Sequence, residues 1–140
     1  MSLAELKKSG KVKSIPIDKE QIRNLIELGK RDLVVAKKIF STNFDWCFIV
    51  AYNSMLQSSR ALMFSYGYTT SEEDHHKTVV EFSRAIVGGE MTDMFDRMRR
   101  KRHEVTYDEA GQISEYTAKH ALETATKYLD LIEKKIRERI

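Results

Sequence analysis

Cysteine, proline and glycine are all scarce in this chain of 140 residues, with one Cys, one Pro and six Gly. The lone cysteine, Cys47, excludes an intrachain disulfide and fits a reducing compartment, so a cytoplasmic location is expected. Few turn-formers beside abundant Ala, Leu, Glu, Lys and Arg favour long helices over many short strands. No apolar run approaches the ~20 residues that span a bilayer, so no membrane partner is expected. Glu5, Lys7 and Lys8 stand near the N-terminus without a hydrophobic stretch behind them, and a secretory signal is not expected. The chain has no Gly-rich phosphate loop, nucleophile elbow or paired-carboxylate signature. It also has no internal repeat, low-complexity tract or strand-like alternation.

What is present is charge, and its distribution says more than its sum. The 24 Lys and Arg against 21 Asp and Glu leave a formal net charge of only +3. Yet residues 97–102, Arg-Met-Arg-Arg-Lys-Arg, hold five cations in six positions. The basic character is local rather than global, which is how a site differs from a generally basic surface.

Residues 1–16 are polar, carry several lysines and end at Ser14-Ile15-Pro16; they read as a mobile or loosely docked arm before a single domain at 17–140. From Asp18 the pattern becomes helical. Ile22, Leu25, Ile26, Leu33, Ala36 and Phe40 recur every three or four residues, and Asp18 with Gln21 resembles a capping box. Ser41-Thr42-Asn43 breaks this helix. The next has Trp46, Ile49, Tyr52, Leu56, Ser59, Met63 and Tyr66 along one stripe, with further apolar residues off it. It should therefore be the most buried helix, with Trp46, Tyr52, Tyr66 and Cys47 as core residues.

Gly67–Ser71 is expected to end that helix and start a short third one, with Ser71 as N-cap and Asp74 as its acidic partner. Val79, Phe82, Ile86 and Val87 give the third helix its apolar face, and Gly88-Gly89 ends it. A fourth helix runs from about Thr92 through the basic segment to a turn at 108–111. Ser114 caps the last, striped by Ala118, Ala121, Leu122, Ala125, Leu129, Ile132 and Ile136. The expected fold is an all-α, up-and-down bundle of four to five helices.

On the fourth helix, Met91, Met94, Phe95, Met98 and Val105 form the apolar stripe. At about 100° per residue, Arg102 lies within roughly 40° of Met98, inside that stripe. An arginine facing the core is costly unless it finds a partner or opens onto a cleft. Arg99, His103 and Thr106 follow on the adjacent flank, one turn apart, so Arg99 and His103 can approach each other. Arg100 and Lys101 are expected to point elsewhere. The plainer alternative is that such a basic run offsets the negative end of the helix dipole, which suits Arg97, Arg100 and Lys101 best. Asp74-His75-His76 suggests a metal site only superficially, because adjacent histidines on a helix diverge by about 100°. A surface role at the helix start fits them better, and no metal or cofactor is expected. His120, on a charged helix, likewise reads as a surface residue.

These segments together resemble the HEPN domain, a small helical bundle marked by an Arg, four to six residues, and a His near the end of a late helix. Arg97 and His103 enclose five residues and fit that motif. A second register is open: small HEPN proteins often carry Arg-Asn-x-x-x-His, or Tyr at the last position. Arg102-His103-Glu104-Val105-Thr106-Tyr107 is similar to that form, and it sets the core-facing Arg102 in the arginine slot. The likeness extends to Ala51-Tyr52-Asn53-Ser54-Met55-Leu56, to Ser59-Arg60-Ala61-Leu62, and to Gly67-Tyr68 followed by His75-His76 and Val79-Val80-Glu81-Phe82. It spans most of residues 18–138.

The resemblance implies a homodimer that brings two motif segments together across a cleft and cleaves RNA without metal, as the toxin of a toxin–antitoxin pair. Arg102, His103, Tyr107 and Arg97 are then the candidate catalytic residues, with Arg97, Arg99, Arg100 and Lys101 holding RNA or a nucleotide. An arginine stabilises charge on the phosphate, and a histidine moves protons near neutral pH. A tyrosine in the histidine slot, with an ordinary pKa near 10, is a poor base. The resemblance therefore also allows a non-catalytic helical interaction module, partnering a small nucleotidyltransferase that serves as antitoxin.

Overall fold

The computed structural model describes residues 1–71 and 75–140. Its elements are α1 (Leu3–Lys8), β1 (Val12–Ser14), α2 (Lys19–Ile39), α3 (Phe44–Ser65), β2 (Tyr68–Thr70), α4 (His76–Ile86), α5 (Gly89–Tyr107) and α6 (Glu115–Arg139). The architecture is all-α apart from one two-stranded ribbon. None of the described helices is long and apolar enough to cross a membrane.

The long helices start where the sequence supplies oxygen acceptors for free N–H groups. Asp18 accepts from the amides of Glu20 and Gln21, Asn43 from Trp46, and Ser114 from Thr117. The link at 40–43 is short, so α3 returns along α2, and these two pack most extensively. α6 closes the other side of α3. Gly29 sits where α2 and α3 approach: a Cβ there would stand 3.1 Å from the Ser54 carbonyl oxygen and 3.0 Å from Leu129 Cδ1. Small residues on α3 permit the same closeness. Ser54, Ser58 and Ser65 are buried and return their hydroxyls to the carbonyls of Ala51, Met55 and Leu62, while Ser59 shares a 2.6 Å hydrogen bond with Tyr128 of α6. Cys47 lies in the core, where burial pushes its thiol up to about 11.

α4 and α5 pack against α3 and against each other. Gly88 and Gly89, both at positive φ (65° and 75°), make the sharp turn between them. Phe95 of α5 reaches inward against the rings of Tyr52 and Tyr128.

Four expectations need correction. Residues 1–16, expected as a mobile or loosely docked arm, form α1 and β1, and Leu6 is completely buried. Val12–Ser14 pairs antiparallel with Tyr68–Thr70; strands of three residues are too short to display alternation, so the pattern does not show this ribbon. α4 begins at His76, without a side-chain cap, rather than at Ser71; Asp74 lies outside the described residues. Trp46 is 57% exposed instead of core: the adjacent Cys47 and Phe48 are buried, while Trp46 lines an open cavity shared with residues 105–110.

Candidate functional site

α5 splits its basic segment between two surfaces. Its last two turns and the start of α4 enclose a cleft of about 740 Å³. Arg99, Arg100, Arg102 and His103 line one side, with Tyr107 at the end. His75 and His76 line the other. Arg97 and Lys101 turn instead to a separate groove of about 240 Å³, floored by Phe48, Met94 and Met98 and edged by His120. Arg97 and His103 therefore do not meet within one chain, whereas Arg102, His103 and Tyr107 do.

The cleft is built on buried supports. Arg102, inside the apolar stripe of α5, is half-buried with its guanidinium 5.9 Å from the centre of the Tyr52 ring. Tyr52 is fully buried at the middle of α3, and its hydroxyl lies 2.8 Å from His76 Nδ1, with the two rings stacked. Burial pushes the Tyr52 phenol well above its ordinary value, only partly offset by the charges of Arg102 and Arg99. The phenol therefore stays protonated. When it donates to Nδ1, the imidazole proton resides on Nε2.

Asp96 performs the equivalent service for two arginines. Its Oδ1 accepts from Arg99 Nε at 3.0 Å, and its Oδ2 pairs with Arg100 at 3.6 Å, one turn further on. That second contact explains a difference from expectation. Arg100 does not diverge from the cleft with Lys101, because Asp96 at i−4 draws its side chain back. Lys101 pairs with Glu104 at 3.3 Å. The His103 and Tyr107 rings touch at 5.0 Å between centres, both on the exposed side. Thr106, on the same flank, returns its hydroxyl to the Arg102 carbonyl.

Sequence reasoning missed four contributors to this cleft: Tyr52, His75, His76 and Asp96. Asp96 had a readable signal, an acid three and four residues before two arginines. The histidines had none. Their value comes from where α4 begins relative to α3, a tertiary fact. Among the described residues, no group of three or more His, Cys, Asp or Glu side chains is arranged to hold a metal ion.

Residues 22–135 match the family model of the HEPN domain. The chain belongs to the HEPN family. A search of curated proteins finds no match to the chain. The matched residues run from α2 through most of α6, and α1 and β1 lie outside them. In this HEPN domain the cleft lies between the start of α4 and the last turns of α5, beside Tyr52 of α3.

Proposed function

We propose that the cleft binds RNA and carries out metal-independent cleavage of it, in a homodimer that juxtaposes two such clefts. The observation that supports this most is the gathering of three arginines and three imidazoles along one cleft that also holds Tyr107. Guanidinium groups match phosphate oxygens in charge and in hydrogen-bonding geometry. Arg102 supplies the central contact, supported by the buried Tyr52 beneath it, with Arg99 and Arg100 positioned by Asp96.

In the cleavage step one imidazole takes the proton of the 2′-hydroxyl, and O2′ attacks phosphorus. The bond from phosphorus to O5′ then breaks, and a second imidazole returns a proton to O5′. His103 and His76 fit these two roles better than Tyr107, since imidazole exchanges protons near neutral pH. Tyr107, 66% exposed, serves as a contact surface for the strand.

The test is incubation of the purified protein with mixed RNA, with and without chelator, beside the Arg102→Ala/His103→Ala variant. Chelator-insensitive cutting that disappears in the folded variant, together with weaker RNA binding, is expected. Equal binding and cutting by the variant overturns the proposal. A second reading has its own support: the separate Arg97–Lys101 groove, cationic over an apolar floor, suits a protein partner. As a non-catalytic module for a small nucleotidyltransferase, the chain would form a stable complex with it and leave RNA intact.

A further inference from the structure

Tyr107 has two sides. One faces the cationic cleft, and the other walls a second cavity of about 320 Å³ between the start of α3 and the end of α5. Its opposite wall is Trp46, and Ile49 and Val105 lie between them. Two large aromatic side chains, 57% and 66% exposed, thus flank an apolar floor within one side chain's width of the phosphate-binding arginines.

The cavity is chemically the reverse of the cleft. No lysine, arginine or histidine lines it, while Asp45, Asp108 and Glu109 do. Asp45 is already committed: its two carboxylate oxygens accept from the amides of Gly111 (2.6 Å) and Ile113 (3.0 Å), which fixes the 108–113 turn at the rim. The Oδ1 of Asn43 accepts from the Trp46 amide, so it is not a free acceptor. Among the described residues, the Asp108 and Glu109 side chains have no hydrogen-bond or ion-pair partner, so their carboxylates are the acceptors left at the rim.

We propose that this cavity takes a guanine base of the RNA strand whose phosphate lies in the cleft. The inference rests on the cleft reading above. Carboxylates without a nearby cation exclude phosphate, so an occupant needs an apolar face and N–H donors. A nucleobase supplies the face, which aromatic side chains stack regardless of base. The edge selects among bases. Guanine presents the adjacent N1–H and amino N–H donors that a carboxylate accepts together, whereas uracil flanks its single N–H with two carbonyl oxygens that the rim repels. Continuity through Tyr107 sets base and phosphate on the two sides of one side chain.

Trp46 is the only tryptophan in the chain, so fluorescence excited selectively at tryptophan, beyond the absorption of the six tyrosines, reports this cavity. The probes are 2′-O-methyl hexanucleotides, which resist attack by O2′: one with a single guanosine among uridines, and one of uridine only. The guanosine probe is expected to quench Trp46 and to bind at least fivefold tighter by anisotropy. Trp46→Ala should weaken it about tenfold. Asp108→Asn/Glu109→Gln should erase the preference while uridine-only binding persists or improves. Equal affinity for the two probes with unchanged fluorescence, while Arg102→Ala still abolishes binding, overturns this inference and leaves the cleft reading intact. Failure of both probes to bind overturns both.

Discussion

α3 and the second half of α5 are neighbours that spend their residues in opposite ways. α3 buries most of its apolar side chains and its serines, turning three of those hydroxyls back on its own carbonyls. Beyond Met98, α5 buries only Val105; its other side chains are polar or charged and lie at the surface or at the edge of the cleft. The two helices meet at Tyr52 and Arg102. The contrast separates duties: α3 carries the stability of the fold, and α5 presents functional groups that the core positions but does not require.

The largest expected effect of a single change therefore falls on α3. Met55, fully buried there, should cost about 2–5 kcal/mol when replaced by alanine, through lost transfer energy and the cavity left behind. Urea unfolding measures this as a lower midpoint at unchanged slope, while the folded protein keeps its RNA affinity. Lost affinity in folded Met55→Ala would break the separation of duties.

The same core predicts an alkaline limit. Burial holds Cys47 up to about 11 and Tyr128 up to about 12, against ordinary values of 9.0 and 10.0. Between the ordinary and the raised values, the unfolded chain gives up these protons while the folded chain keeps them. Stability is then fully present below about pH 9 and falls as pH rises through the range up to about 12. Thermal unfolding from pH 7 to 11 should show a flat Tm followed by decline, and Cys47→Ala should delay its onset.

On α5 the ranking reverses. Arg102→Ala should lower RNA affinity at least tenfold, since a charge-assisted hydrogen bond to phosphate contributes about 1.5–3 kcal/mol. Its stability should change by less than about 1 kcal/mol. Equilibrium unfolding beside a binding titration reads both numbers, and a collapse of stability would mean that Arg102 belongs to the core after all.

How much of this was legible in the sequence follows the range of the interactions. Asp18 and Ser114 as caps, the Gly88-Gly89 stop and the stripe of α6 all act within a few residues, and the pattern shows them. The odd position of Arg102 was legible for the same reason, as a departure from a helical stripe. Leu6 was not, because Leu3 and Leu6 make too short an apolar pattern to mark a helix, and their burial depends on what α1 meets. Trp46 misled in the opposite direction: its neighbours Cys47 and Phe48 are buried, but its own side chain lines an open cavity, which the stripe does not show. His75 and His76 acquire their place only when α4 docks beside Tyr52.

Tyr52 tests the boundary between the two regions. Tyr52→Phe keeps the packed ring and removes the hydrogen bond to His76, which should cost about 0.5–1.5 kcal/mol of stability. If His76 serves the cleft, RNA cleavage should fall by more than RNA affinity, because the imidazole loses its orientation while the arginines stay. A shift in the pH profile of cleavage identifies the proton carrier; an unchanged profile with lower stability assigns Tyr52 to the core alone.

The smallest effect should come from Arg97, and it is the one that separates the two motif registers. Arg97 is exposed and faces the Phe48–Met98 groove, away from His103, and among the described residues it has no ion-pair partner. Removal of an exposed, unpaired side chain changes stability by about 0.5 kcal/mol or less. Arg97→Ala should also leave RNA affinity within about twofold at physiological salt, the remainder being long-range attraction that higher ionic strength screens. A loss as large as that of Arg102→Ala, persisting at high salt, would mean that Arg97 reaches RNA directly. Within one chain it faces away from the cleft, so the contact would have to be made across the proposed dimer, with the Arg97 of one copy completing the cleft of the other.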